Sequence, residues 1–166
     1  MFELKRLTPA GVGAALDKAE QYRLLNQPWA AESICWDIAA VDPGHQGALR
    51  TRLLAETDQF GADAGAVRRA RETLAQLTGA YDKEYYAGLI AERLALAELN
   101  HRVPGSRFSA YEGLREAMER YQRAEAIRPA GDDDAILRWN TCARLLNQSP
   151  HIVPRGDEIA EPAIGE

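Results

Sequence analysis

A short pattern in the second half of the chain constrains its fold more than any other feature. Ala117 is followed four residues on by Tyr121, three further by Ala124 and five further by Pro129. Helical periodicity puts the two alanines and the tyrosine on one face. The alanines let a neighbouring helix come close, and Tyr121 fills the gap between them. Pro129 has no N–H and stops the helix. The same spacing occurs earlier in Ala31, Cys35, Ile38 and Pro43. A face of this kind, stated twice and closed twice by proline, predicts helices that pack in neighbouring pairs.

With these residues the chain resembles a tetratricopeptide (TPR) repeat protein. Ala19 and Tyr22 precede Ala31 by twelve and nine residues. Those are the offsets at which the family pattern places a small residue and an aromatic in the first helix of a pair. Two positions depart from the pattern: Cys35 stands where an aromatic is usual and Ile38 where a small residue is usual. Trp29 and Trp36 are expected to supply the missing bulk. The resemblance covers about Thr8 to Leu146. It implies an all-α fold, a TPR-like right-handed superhelix of about three antiparallel helix pairs plus a C-terminal capping helix. Its close contact at Ala117 should not accept a leucine, whereas Ala110, outside the motif, should.

Turn and cap signals divide the chain into seven helices. The first runs from about Thr8 to Asn26, with Thr8 as cap and Pro9 at the first position. The second covers Pro28 to Val41, the third Gln46 to Phe60 with Gly61 as a left-handed stop, and the fourth Asp63 to Leu77. The fifth, Tyr81 to His101, is apolar on several sides through Leu89, Ile90, Leu94, Leu96 and Leu99, and so should be covered by several neighbours. Ser106 or Ser109 caps the sixth. Asp132, Asp133 and Asp134 open the seventh, where carboxylates suit free N–H groups. Pro129 follows Pro43 by 86 positions, whereas two repeats of about 34 need about 68. The excess is placed in a longer third pair and its loop. Residues 1–147 form the repeat domain. Residues 148–166, with three prolines and few large apolar groups, are expected to be a flexible tail.

Composition bounds the function. The net charge of −5 argues against a general affinity for nucleic acid or anionic membrane. No apolar run reaches the roughly 18 residues of a membrane span, and the N-terminus lacks a signal-peptide core. A cytoplasmic location is expected. Cys35 and Cys142, the only cysteines, lie in apolar helical patterns and read as reduced core thiols. No P-loop, nucleophile-elbow or zincin motif occurs, so neither an enzyme nor a cofactor is expected.

The remaining polar features have ordinary readings beside functional ones. Glu98 and His101 are spaced like half of a di-iron carboxylate site, but the second half is missing, so a solvated helix end is the simpler reading. Arg68, Arg69 and Arg71 form a basic cluster that reads as a solvated face. Tyr81, Tyr85 and Tyr86 are either core or an aromatic binding patch.

The family resemblance implies a concave surface that grips a peptide or another protein. Arg50, Tyr81, Tyr85, Arg138 and Asn140 are its candidate partner-binding residues. Arg50, Arg138 and Asn140 do not reproduce the spacing with which some family members clamp a C-terminal carboxylate. A protein–protein interaction scaffold is thus the leading function. A helical-bundle metal protein around Glu98 and His101, and a self-assembling homo-oligomeric subunit, are the alternatives.

Overall fold

Short turns rich in proline, glycine and asparagine break the chain into helices, and the computed structural model describes residues 2–101 and 104–156 of it. A 3₁₀ turn, Pro9–Gly11, leads into α1 (Val12–Leu24). There follow α2 (Pro28–Ala39), α3 (Gln46–Thr57), α4 (Ala66–Leu74), α5 (Ala80–His101), α6 (Ser106–Ala126) and α7 (Asp134–Gln148). The fold is all-α, with no strand among the described residues. None of the described helices is long and apolar enough to cross a membrane.

Side-chain contacts fix the directions of the helices. Gly88 of α5 lies against Tyr121 and Ala117 of α6, while Gly113 of α6 lies against Ala95 of α5, so the two helices run antiparallel. Glu32 meets Gln59, and Arg52 stacks on Trp36, which makes α2 and α3 antiparallel. Gln46 meets Thr78, and Arg52 meets Thr73, which does the same for α3 and α4. Alternate helices are parallel. Arg23 of α1 bonds Asp58 just after α3, Arg50 of α3 bonds Asp82 of α5, and Arg138 of α7 bonds Glu92 of α5.

The small residues of the pattern sit where helices meet. Ala19, Ala31, Cys35 and Ile38 are buried, as are Ala117, Tyr121 and Ala124. The closest approach is between α5 and α6. A Cβ on Gly88 would stand 2.8 Å from the Tyr121 ring, and one on Gly113 would stand 2.9 Å from the Ala95 methyl. Glycine is therefore needed at both crossings for lack of space. The long third pair is real: α5 has 22 residues and α6 has 21.

Several expectations need correction. Trp29 and Trp36 do not fill the space beside Cys35. They are 68% and 51% exposed, and the Cys35 side chain is itself buried at the contact. The inner face of α2 is already occupied by Ala31, Cys35 and Ile38, so Trp29 points outward and Trp36 lies at the edge, with the Arg52 guanidinium over its ring. Ala110 is as fully buried as Ala117, so its nearness to a loop does not make it tolerant. Gly105, not a serine, occupies the N-cap of α6. Thr8 makes no side-chain cap bond. Gly61 does take a left-handed φ of +85°, but α3 has ended at Thr57, and the glycine shapes the turn that follows.

The expected break at Gln148 also needs correction for the residues that follow. Ile152 is 5% exposed and belongs to the core shared by α5, α6 and α7. This large apolar side chain stands four residues past the helix and packs against the body. The expectation for residues 157–166 lies outside the described residues.

One cap was not visible in the sequence. His45 stands at the N-cap of α3, where its Nδ1 accepts the Ala48 N–H at 3.1 Å. His45→Ala should cost about 0.5–2 kcal/mol, as for loss of other capping groups, and His45→Asn should recover most of it. Urea denaturation of the two variants checks this. Equal stability of wild type and His45→Ala would show that the bond contributes nothing.

Candidate functional site

The residues expected to bind a partner do gather on the odd-numbered helices, but most of their polar groups are already used. Arg50 bonds Asp82 at 2.9 Å. The Tyr81 hydroxyl donates to Asp132 at 3.1 Å, which in turn accepts the Asp134 N–H and so fixes the start of α7. Tyr85 is half-buried among Tyr81, Tyr86 and Tyr121, with ring centroids 5.1 to 5.8 Å away. Arg138 donates to Glu92 at 3.1 Å. Asn140 lies half-buried on α7. Tyr81 and Tyr85 are thus part of the packing between α5, α6 and α7, while Tyr86 packs against the core shared by α3, α4 and α5.

Glu92 is the hub of that packing. It is buried, accepts the Tyr121 hydroxyl at 2.6 Å on one oxygen and Arg138 on the other. Burial, and then the Glu92 charge, hold the Tyr121 hydroxyl far above its ordinary titration range. A second tie joins α1, α3 and α5: Asp58 is held between Arg23 and Arg93, and Arg93 also reaches Thr57 at 2.7 Å. These contacts tie alternate helices together, and the Tyr121–Glu92 bond ties α5 to α6.

Helices α2, α3 and α4 enclose a further polar cluster. Arg52 donates to the Thr73 hydroxyl at 3.0 Å, and that hydroxyl donates to Glu56 Oε1 at 3.1 Å. Glu56 is fully buried, and its Oε2 has no hydrogen-bond partner. Burial pushes the carboxyl up to about 7, against the opposing pull of Thr73 and Arg52. Alongside it, Arg69 forks onto Glu32 at 2.7 and 3.2 Å and reaches Asp63 at 2.7 Å. Cys35, next to this cluster, and Cys142 are free thiols, each pushed up to about 12 chiefly by burial. Such thiols are poor nucleophiles and poor metal ligands.

The basic cluster of α4 therefore has three different fates. Arg69 is a structural tie. Arg68 makes an exposed pair with Glu72 on its own helix. Arg71 alone faces an open cleft of about 920 Å³ between α4 and α6, floored by α5. The floor is apolar, with Ala87, Ile90, Ala91 and Leu94, and Leu74 of α4 extends it at one side. Its α6 rim carries Glu112, Glu116 and Glu119 with Arg115 and Arg120. Arg120 is turned toward Glu84 of α5, at 3.2 Å. Arg71, Arg115, Glu112 and Glu116 have no ion-pair partner among the described residues.

Glu98 lines the far end of the same cleft, and the side chain of His101 lies outside the described residues. No group of three histidine, cysteine, aspartate or glutamate side chains comes together as a metal ion would need, among the described residues. The cleft was missed in the sequence because it arises from a mismatch of helix lengths. With only nine residues, α4 leaves much of α5 uncovered. No protein-family model matches this chain, and neither a curated protein nor a solved structure matches it.

Proposed function

We propose that the protein is a non-catalytic interaction scaffold, a TPR-like helical array that holds a segment of another protein. The observation that carries this reading is the cleft between α4 and α6. It joins an apolar floor to rims on which Arg71, Arg115, Glu112 and Glu116 have no ion-pair partner among the described residues. Apolar area supplies binding free energy, and convergent charges supply orientation and specificity. Parallel odd helices, and tight small-residue crossings between neighbours, support the TPR-like arrangement. The family's concave odd-helix face is the less favoured surface here, because Arg50 and Arg138 are engaged by Asp82 and Glu92.

A photo-crosslinking residue at Leu94, on the cleft floor, tests the proposal against the same residue at Arg50, on the odd-helix face. In native lysate the Leu94 position should give discrete protein adducts that the Arg50 position does not. Adducts from Arg50 alone would move the site to the other face. Adducts from neither would remove the scaffold reading.

One observation favours a second reading, self-assembly. Leu24, Leu25, Trp29 and Trp36 are all more than half exposed around the α1–α2 turn. Exposed apolar clusters of this kind often mark association surfaces. Light scattering over a range of concentrations should show growth in mass that Trp29→Ser abolishes, and a constant monomer mass would exclude it.

A further inference from the structure

The cleft can be read further, resting on its assignment above as the partner site. We infer that its occupant is an amphipathic α-helix of the partner, laid lengthwise on α5 with an acidic flank toward α4 and a basic flank toward α6.

The shape comes first. The part of α6 that borders the cleft runs from Phe108 to Arg120, about 18 Å at the helical rise of about 1.5 Å per residue. The floor formed by α5 runs over Ala87, Ala91, Leu94 and Glu98, spaced by four, three and four residues, which is one stripe along a helix. The slot therefore has the length of about three helical turns. Ala87, half-buried on the floor, leaves room for a backbone to approach, as helix pairs require at interaxial distances of about 8–10 Å.

The helical walls exclude an occupant bound as an added strand. An extended segment bound as an added strand needs unpaired N–H and C=O groups on its host. α5 and the α6 wall are continuous helix along the whole cleft, so their main-chain groups are bonded within each helix. Only side chains are offered to an occupant, and a helix is the backbone that presents side chains while satisfying its own polar groups.

Charge then sets the flanks. The α4 rim presents Arg71, without an ion-pair partner among the described residues. Along α6, Glu112 and Glu116 lie four residues apart in the same condition, beside Arg115, and Arg155 from the stretch after α7 adds one further cation to the cleft wall. A helix with carboxylates on one side and lysine or arginine on the other matches both rims. Turning such a helix end for end exchanges its flanks, so the rims also fix its direction in the slot.

Fluorescein-labelled synthetic helices of about 14 residues, near the slot length with a margin at each end, provide the probe. One carries a leucine stripe with glutamates on one flank and lysines on the other. Two controls carry lysines or glutamates on both flanks, and a third has proline at its centre. Anisotropy titrations use the whole chain. The mixed helix should bind about tenfold or more tighter than each control, a difference of about 1.4 kcal/mol. Glu112→Lys with Glu116→Lys should weaken the mixed helix and strengthen the all-glutamate one, since both rims are then basic. Both positions are exposed, and an unchanged melting curve shows that the fold is kept. Equal binding of the proline peptide or of a uniformly charged helix would overturn this inference while leaving the cleft as the partner site. So would binding by none of the peptides while Leu94 still crosslinks in lysate. Loss of the Leu94 adducts would overturn both.

Discussion

A leucine at Ala117 should lower the free energy of unfolding by about 1–3 kcal/mol, the usual cost of overpacking a filled contact. Ala117 is fully buried on α6, and its carbonyl oxygen would lie 3.2 Å from a Cβ placed on Gly88 of α5. Three added carbons have no space between these backbones. Helix propensity cannot account for the loss, because leucine is almost as good a helix former as alanine. Gly88→Ala provides a second reading of the same contact, with an informative sign. At an open helical site this change stabilises by up to about 1 kcal/mol. Here the new methyl would stand 2.8 Å from the ring of Tyr121, which is buried and tied to Glu92. A net loss is expected. Ala126→Leu is the proper control, since Ala126 is exposed near the end of the same helix. Denaturant titration decides: if Ala117→Leu unfolds at the wild-type midpoint, α5 and α6 are not in close contact there.

The stability of the protein should fall as pH rises from about 5 to 8, and Glu56→Gln should remove most of that dependence. Glu56 is fully buried with one oxygen lacking a partner, a position that favours the uncharged carboxyl. Its ordinary value of 4.5 rises to about 7 in the folded chain. The folded state thus binds a proton that the unfolded chain has released. The stability that this proton contributes is fully present below pH 4.5 and is lost as pH rises through 7. A shift of this size corresponds to about 3 kcal/mol. Glutamine stays uncharged throughout and can still accept from Thr73. Urea denaturation at pH 5 and pH 8 should show the variant gaining on wild type by that order at the higher pH. An equal difference at both values would mean that Glu56 titrates normally.

Much of the local architecture was legible because it rests on short-range rules. Pro28 begins α2 after a turn in which Asn26 takes a positive φ of 58°. α6 stops at Ala126, just ahead of Pro129. Ala31, Cys35 and Ile38, and likewise Ala117, Tyr121 and Ala124, are buried as their spacing requires. Periodicity at 3.6 residues assigns a face to each helix without knowledge of its neighbours.

The same rules are silent on what lies beyond each face. Cys35 and Ile38 lack the bulk the repeat pattern places there, which points to Trp29 and Trp36 as the fillers, yet the inner face of α2 is already full. Tyr81 has the pattern of a potential partner contact, but its hydroxyl donates to Asp132, 51 residues away. Arg68, Arg69 and Arg71 look alike in sequence. One pairs within its helix, one clasps Glu32 and one is left facing the cleft.

The sequence by itself determined that this chain is a series of helices, where most of them begin and end, and which residues permit close packing. Those properties depend on backbone geometry and on contacts within a few residues. Only the tertiary structure decided which charges neutralise one another, that Glu56 is sealed without a full set of partners, and that α4 is too short to cover α5. Each of these depends on distances between residues far apart in the chain. The open cleft is the sum of such distances, and no local pattern encodes it.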